Sequence, residues 1–148
     1  MVDTIYALAT PQGRAGVAVV RISGPDAFMS LNSLCNDIRI KPRKTILCDL
    51  YTKEGLHLDR ALVLPFKGPY SFTGEDVVEL HLHGSIAVIQ KTLETLSKIP
   101  NFRQALPGEF TRRAFSNEKL DLAEIEGLAD LIEAETEAQR VQALKVLS

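Results

Sequence analysis

The sequence has few of the residues that often carry chemistry: its 148 residues include two cysteines, three histidines and no tryptophan. No apolar stretch approaches the ~18 residues that cross a bilayer, and no basic segment followed by an apolar one opens the chain. We therefore expect a cytoplasmic protein without membrane contact. The 17 basic and 19 acidic side chains give a net charge of −2. A protein that wraps duplex nucleic acid carries a basic patch, which is missing here, whereas RNA contact through a partner stays open.

Metal and nucleophile signals are equally sparse. Cys35 and Cys48 form no Cys-x-x-Cys pair and have no histidine at zinc spacing, so both are predicted to be reduced thiols. His81 and His83 stand two residues apart, a spacing that can ligate a metal, but no third ligand is implied. We interpret them as polar lining or solvent-facing residues, and we predict no metal site. Because no nucleophile arrangement and no Walker motif follows from the spacing of residues, no catalytic residue is assigned.

The apolar patterning predicts an α+β domain. Strands are predicted at 4–9, 17–23, 45–51, 58–65, 77–83 and 102–106, with a hairpin turn at 53–55. Helices are predicted at about 25–35, from the expected N-cap Ser85 to about 97, and from 107 to about 116.

From Asp121 onward the pattern changes to one long helix. Asp121 and Glu124 resemble a capping box, and apolar residues then recur at helical spacing with acidic residues opposite. Such a helix of ~28 residues would be ~42 Å long, so its apolar stripe needs other helices or a second copy to cover it. Basic residues are in excess over 1–113 and acidic residues over 114–148, which marks a candidate domain boundary.

Two charged residues stand inside predicted strands. Arg21 interrupts an apolar run, and a buried guanidinium must reach water, a carboxylate or an anionic ligand. Glu79 lies in a strand whose alternate residues are apolar, on the same face as His81. A carboxylate accepts two parallel N–H bonds, which suits a ring edge that bears an amine and a ring N–H. A structural ion pair for Arg21 and a solvated edge strand for Glu79 are the alternatives.

Two further motifs have simple structural interpretations. The loop of residues 11–16 (PQGRAG) can bring backbone N–H groups near an anion, but a plain hairpin is the alternative. The segment 107–115 (PGEFTRRAF) reads by itself as a capped surface helix.

Several segments together resemble one known family. They are TPQGRAGVAVVRISG at 10–24, SFTGED at 71–76, HG at 83–84, PGEFTRRAF at 107–115 and NEKLDLAE at 117–124. The chain is similar to the N-terminal part of the MnmE (TrmE) family of tRNA modification GTPases. The resemblance covers essentially the whole chain.

The resemblance implies a mixed β-sheet with flanking helices, similar to the folate-binding domains of aminomethyltransferases. Residues 1–118 would form the folate-binding and dimerisation domain, and 119–148 would begin an all-helical domain. The family works with the partner MnmG (GidA) on the wobble uridine of tRNA, at C5. No G domain and no C-terminal Cys-x-Gly-Lys motif occur in these residues, so GTP, magnesium and potassium belong to the full-length family protein.

The residues that contact 5-formyltetrahydrofolate carry over onto Arg21, Glu79 and Lys119. Glu79 would accept hydrogen bonds from the pterin edge, and Arg21 and Lys119 would bind the carbonyl or the glutamate carboxylates of the folate. Where the family commonly has His-Gly-Gly, this chain has Ser85 in the third position, which requires an ordinary backbone conformation or a slightly altered turn. Two alternatives remain: a stand-alone folate-dependent one-carbon transferase, and a purely structural dimerisation fragment.

Overall fold

The structure is a computed structural model, and it describes residues 2–9, 16–36, 39–118 and 135–138. Six strands and three helices occur in these residues. In chain order they are β1 (Thr4–Leu8), β2 (Val17–Ser23), α1 (Ser30–Leu34), β3 (Ile46–Tyr51), β4 (His57–Phe66), β5 (Val77–His83), α2 (Ile86–Ser97), β6 (Phe102–Gln104) and α3 (Glu109–Ser116).

The strands form a single six-stranded sheet in the order β3-β4-β5-β2-β1-β6. Every neighbouring pair is antiparallel except β1 and β6, which are parallel. The sheet is therefore mixed, and the predicted α+β class with flanking helices is confirmed. Its centre is the pair β5 and β2, where Arg21 of β2 stands directly opposite Glu79 of β5.

The main core lies on one face of the sheet. Successive side chains of a strand point to opposite faces, and β5 shows this alternation clearly. Its residues Val78, Leu80 and Leu82 are buried in the main hydrophobic cluster, together with side chains from α1 and α2. The predicted division of β5 into an apolar face and a polar face is confirmed.

A smaller core lies on the opposite face, beneath α3. There Phe110 of α3 packs with Ile5, Ala7 and Ala105. Since β1 has helices on both of its faces, all five of its residues are buried. The helix α3 covers only the β1 end of this face, so the polar residues of β5 stay next to solvent.

The first helix is shorter than its apolar spacing predicts. The interval 25–29 forms turns, and α1 begins only at Ser30. Hydrogen bonds here join residues three apart, as in Ala27 N–H to Gly24 O at 3.2 Å and Met29 N–H to Asp26 O at 3.0 Å. The Asp26 amide also donates to Thr4 Oγ1, so tertiary contact holds the segment in tight turns. Ala27, Leu31 and Leu34 are nonetheless buried, as their spacing predicts, and Phe28 is partly buried.

The remaining element predictions differ from the structure by one or two residues at most ends. The hairpin turn at 53–55 is confirmed, with Gly55 at φ 86°. Ser85 caps α2 by accepting a hydrogen bond from the Val88 amide at 3.2 Å. The backbone of Ser85 is extended, at φ −78° and ψ 143°, which is the ordinary conformation that a non-glycine residue requires there.

Some predictions fall outside the described residues. The glycine loop does so except for Gly16, and so does the proposed boundary near 119. Of the long helix expected after Asp121, residues 135–138 are described, and they are helical. In the part of the chain that the structure describes, no helix has the length and apolar character to cross a membrane.

Candidate functional site

The two charged residues singled out within strands form a pair at the centre of the sheet. Arg21 donates from both Nε and Nη2 to Oε2 of Glu79, each at 3.3 Å. The side chains are only 22% and 19% exposed. Since β5 lies between β4 and β2, Glu79 is not on an edge strand, and that alternative is wrong. The ion pair orients the mostly buried carboxylate of Glu79 on a central strand.

Two aromatic rings flank the Arg21 guanidinium. Its central carbon lies 5.1 Å from the ring centroid of Phe72 and 5.5 Å from that of Phe110. A guanidinium over an aromatic face is attracted by the ring quadrupole, most strongly where water is partly excluded. Phe72 comes from the loop before β5 and Phe110 from α3. Arg21 therefore joins three separate parts of the chain.

A cavity of about 320 Å³ opens beside Glu79. Its wall is mostly aromatic and apolar, with one carboxylate, that of Glu79, and one guanidinium, that of Arg43. The lining residues are Arg43, Phe66, Tyr70, Ser71, Phe72, Val77 and Glu79. Pockets for small ligands are typically apolar with a few polar groups, and occupy roughly 300–1,000 Å³. This cavity has that character and lies at the lower end of that range, which suits one ring system of a larger ligand.

A second carboxylate approaches Arg21 from the segment 135–138. Glu135 accepts hydrogen bonds from the amides of Phe110 and Thr111, at 3.2 and 3.1 Å, and from Thr111 Oγ1 at 2.9 Å. Burial raises the pKa of Glu135, while these bonds and the charge of Arg21 act in the opposite direction. By binding the free amides at the start of α3, Glu135 anchors the helix that holds Phe110.

The loop that carries Phe72 is held by buried polar contacts. Thr73 and Ser23 are fully buried, and their hydroxyl oxygens are 2.7 Å apart. The Ser23 hydroxyl also donates to Glu75 at 2.8 Å, and Arg113 of α3 donates to both oxygens of the same carboxylate at 3.1 Å. Because each polar group has a partner, the cluster can stay buried and fix the loop against β2 and α3.

A neighbouring ion cluster attaches α3 to β6 and the start of β1. Arg103 binds Glu109 and Asp3, with Nη2 to Glu109 Oε2 at 2.6 Å. The hydrogen bond from Arg103 lowers the pKa of Asp3, with a smaller contribution from Arg113. Burial pushes the pKa of Glu109 upward, but the hydrogen bonds from Arg103 and the Leu106 amide keep it below its usual value. The segment that the sequence predicted to be a capped surface helix is thus anchored to β6 and to the start of β1.

The two histidines of β5 are paired with carboxylates. His81 Nε2 lies 3.4 Å from Glu79 Oε1, so this histidine borders the site. His83 is exposed, and its ring Nδ1 lies 2.7 Å from Asp59 Oδ1. Among the described residues, no group of three histidine, cysteine or acidic side chains is placed to hold a metal ion.

Comparison with known proteins decides the family. The model of the family described as "GTP-binding protein TrmE N-terminus" matches residues 4–119. The chain belongs to this family. The resemblance noted from the sequence motifs is therefore confirmed.

Curated members of the TrmE family are similar along nearly the whole chain. The tRNA modification GTPase MnmE of Roseobacter denitrificans is 56% identical over 146 residues, which is 99% of this chain and 34% of that protein. The protein of the same name from Parvibaculum lavamentivorans is 58% identical over 144 residues. The human mitochondrial 5-taurinomethyluridine-[tRNA] synthase subunit GTPB3 is 53% identical, with 97% of this chain and 30% of that protein aligned. The chain thus spans about a third of the length of these relatives.

Of the three site residues predicted from the TrmE resemblance, the structure brings Arg21 and Glu79 together. Lys119 lies outside the described residues. Sequence reasoning missed the aromatic ring of Phe72 and the carboxylate of Glu135 as neighbours of Arg21. Phe72 lies within the SFTGED motif, so that motif was a usable signal. Nothing local marks Glu135, which is one acid among many in an acidic segment.

Proposed function

We propose that this chain is the tetrahydrofolate-binding and homodimerisation module of a tRNA modification GTPase. The ligand is a 5-formyltetrahydrofolate or a close relative of it. The observation that carries the proposal is the carboxylate of Glu79, which is mostly buried on the wall of an aromatic cavity and oriented by Arg21.

The chemistry of this wall fits the pterin ring of a folate. One edge of a pterin presents an exocyclic amine and a ring N–H, and a carboxylate accepts both. The two bonds from Arg21 both go to Oε2 of Glu79 and match the two lone pairs of that oxygen. The acceptor capacity left for a ligand is therefore on Oε1, which His81 Nε2 approaches to 3.4 Å.

The aromatic lining supports the same ligand. A flat heterocycle gains by packing against the rings of Phe66, Tyr70 and Phe72, and Tyr70 is exposed enough to move onto it. Arg43 lies on the same wall and suits an anionic group such as the glutamate tail. Lys119 is proposed for the carbonyl or carboxylate groups on the strength of the family resemblance. The bound folate would supply one-carbon chemistry, and these residues would bind and orient it.

Homodimerisation has support from the uncovered face of the sheet. Val17, Leu47 and Leu62 are 53%, 53% and 43% exposed. Their strand registers place them on the face that carries His81, away from α1 and α2. Apolar side chains grouped on one surface are typical of a protein interface, and a second copy of the chain is the proposed partner.

The tRNA-modifying activity is a proposal for the longer protein. The relatives' names describe tRNA modification GTPases, and the chain covers about a third of their length. We propose that the longer protein acts with MnmG on the wobble uridine, with tRNA bound indirectly through that assembly. The folate module would then deliver one-carbon chemistry to the shared site.

Calorimetric titration with 5-formyltetrahydrofolate tests the folate proposal. Glu79→Gln removes one of two acceptor oxygens and the charge, so we expect affinity to fall about tenfold or more. His81→Gln alters the neighbouring side chain on the same face and is the matched control, with an expected change of about twofold. Circular dichroism establishes that both variants are folded. Equal losses in the two variants would contradict the pterin assignment.

The same titration separates the alternatives. Saturable binding without turnover of the folate supports a binding module, whereas one-carbon transfer by this chain alone would indicate a free-standing transferase. No binding by a folded, dimeric chain would indicate a structural dimerisation fragment.

Light scattering tests the dimer. Leu62→Glu places a charge on the apolar sheet face and is expected to halve the measured mass. Leu56→Glu adds the same charge in the exposed hairpin turn, away from that face, and is expected to leave the mass unchanged. A monomeric wild-type chain would contradict the proposal directly.

A further inference from the structure

The two cysteines lie side by side although they are 13 residues apart in sequence. Their Sγ atoms are 3.5 Å apart. Cys35 follows α1 directly, and Cys48 is in the middle of β3, at the edge of the sheet. Cys35 is 6% exposed, whereas Cys48 is partly exposed. Both thiols are free, as the sequence predicted, but they form a dithiol that no sequence spacing suggests.

We propose that Cys35 and Cys48 are a redox-modifiable site, which a small-molecule disulfide such as oxidised glutathione converts to an intramolecular disulfide. A disulfide bond is about 2.0 Å long, so the two sulfur atoms must approach by roughly 1.5 Å. Cys48 lies on an edge strand, and Cys35 follows a five-residue helix, so closing this gap does not require the central strands of the sheet to move. This site is separate from the proposed folate pocket and does not depend on it.

The geometry assigns a different role to each thiol. Cys48 is the accessible one, so it meets the oxidant first, and Cys35 is placed to resolve the product. The hydrogen bond from Cys35 lowers the pKa of Cys48, while that same bond and burial raise the pKa of Cys35. A thiolate is the nucleophile in disulfide exchange, so reactivity is expected at Cys48.

The exchange balances in two steps. The Cys48 thiol loses its proton to water and its sulfur attacks one sulfur of the oxidant. The S–S bond of the oxidant breaks, and one glutathione leaves as a thiolate that then takes up a proton. The Cys35 sulfur next attacks Cys48 Sγ, its proton passes to the departing second glutathione, and the protein disulfide forms. Two protein thiols are oxidised, and one small disulfide is reduced to two thiols.

The new bond would join the end of α1 to the edge strand. It would close the segment 35–48, which contains Arg43, a residue on the wall of the cavity beside Glu79. The Arg43 amide donates to Pro65 O at 2.7 Å, so this segment is already tied to β4 at one point. Oxidation would add a second, covalent connection, from Cys35 to Cys48 of β3.

The test treats the folded 148-residue chain with excess oxidised glutathione and follows intact mass and free thiols. The wild-type chain is expected to lose both thiols and the mass of two hydrogen atoms, without a lasting adduct, and dithiothreitol is expected to reverse the change. Tryptic digestion should then yield the peptides 22–39 and 45–53 linked to each other. These results would support the proposal.

Two variants separate the roles of the thiols. Cys35→Ser should stop at one glutathione attached to Cys48, because no second thiol resolves it. Cys48→Ser should stay unmodified while the chain is folded, because Cys35 is buried. Retention of both thiols by the wild-type chain, or a stable glutathione adduct on it, would overturn the proposal. The wild-type measurement alone decides this, so the proposal stays testable even if a serine variant fails to fold.

Discussion

Replacement of Arg113 by methionine is the sharpest test of how the cavity loop is held. The guanidinium of Arg113 donates to both oxygens of Glu75 at 3.1 Å, to Asp3 Oδ1 at 3.0 Å and to the Asp3 carbonyl at 3.0 Å. Its side chain is 14% exposed, and that of Glu75 is 15% exposed. Methionine keeps the length and apolar body of the side chain but donates nothing. The variant therefore leaves the mostly buried Glu75 without its cationic partner.

The magnitude follows from the burial of these charges. Removal of one partner from a buried ion pair costs roughly 3–5 kcal/mol, because the other charge stays desolvated. Asp3 is 34% exposed, so water replaces part of the hydrogen bonding that Asp3 loses with Arg113. We therefore expect the free energy of unfolding to fall by about 3 kcal/mol, at the lower end of that range. Urea unfolding measures this, with a midpoint shift of roughly 1–2 M at an m-value near 2 kcal/mol/M.

Arg112→Met is the matched control on the same helix. Arg112 is exposed and donates to the Pro107 carbonyl, so its replacement should cost at most about 0.5 kcal/mol. In the double variant Arg113→Met/Glu75→Gln, the free energy of unfolding should fall by less than the sum of the falls in the two single variants. The expected difference is at least about 1 kcal/mol, which is the coupling typical of residues in contact. Similar losses for Arg113→Met and Arg112→Met would refute the reasoning.

The cost of Arg113→Met should also depend on pH. Arg103 and, to a smaller extent, Arg113 lower the pKa of Asp3 in the folded state. A lowered pKa contributes stability that is present above the unfolded value and is lost as pH falls through the folded value. The difference in unfolding free energy between wild type and variant should thus be largest near pH 7 and should become smaller below about pH 4. A constant difference across that range would contradict an electrostatic cause.

Two further predictions concern the backbone. Gly24 has φ 148°, and an added Cβ would lie 2.6 Å from Thr4 Cα, so Gly24→Ala should lower the unfolding free energy by about 3 kcal/mol. Gly55→Ala is the control, because φ is 86° there and nothing lies within 4 Å of the added Cβ. Only the backbone strain remains, so its cost should be about 1 kcal/mol. Equal losses of thermal stability in the two variants would contradict the predicted clash at Gly24. Ser85→Ala removes the cap on the Val88 amide and should cost about 1 kcal/mol, measured by urea unfolding, and no change would mean that water replaces the hydroxyl.

Local patterns predicted most of the elements. Strict alternation in 77–83 predicted both the strand β5 and its core face, because a strand has a period of two residues. Ser85 predicted the start of α2, because a serine oxygen satisfies a free amide at a helix end. The first helix was overestimated, because apolar spacing reports which residues are buried and not whether hydrogen bonds join residues three or four apart.

The candidate site could be predicted only in part. Arg21 and Glu79 were identified because a charge inside an apolar strand requires a partner or a ligand. Their pairing was not predictable, since it depends on the register of β2 against β5 across 58 residues of chain. The aromatic ring of Phe72 lies beside Arg21 because Ser23, Thr73 and Glu75 fix the loop, and that network joins distant segments.

The sequence by itself determined the α+β class, the core face of β5 and the family resemblance. These follow from periodicity, turn chemistry and local motifs. Only the tertiary structure decided the sheet order, the Arg21–Glu79 pair, the cavity beside it and the meeting of Cys35 with Cys48. Each of these depends on contacts between residues far apart in sequence, and such contacts form only when the whole sheet brings the strands into register.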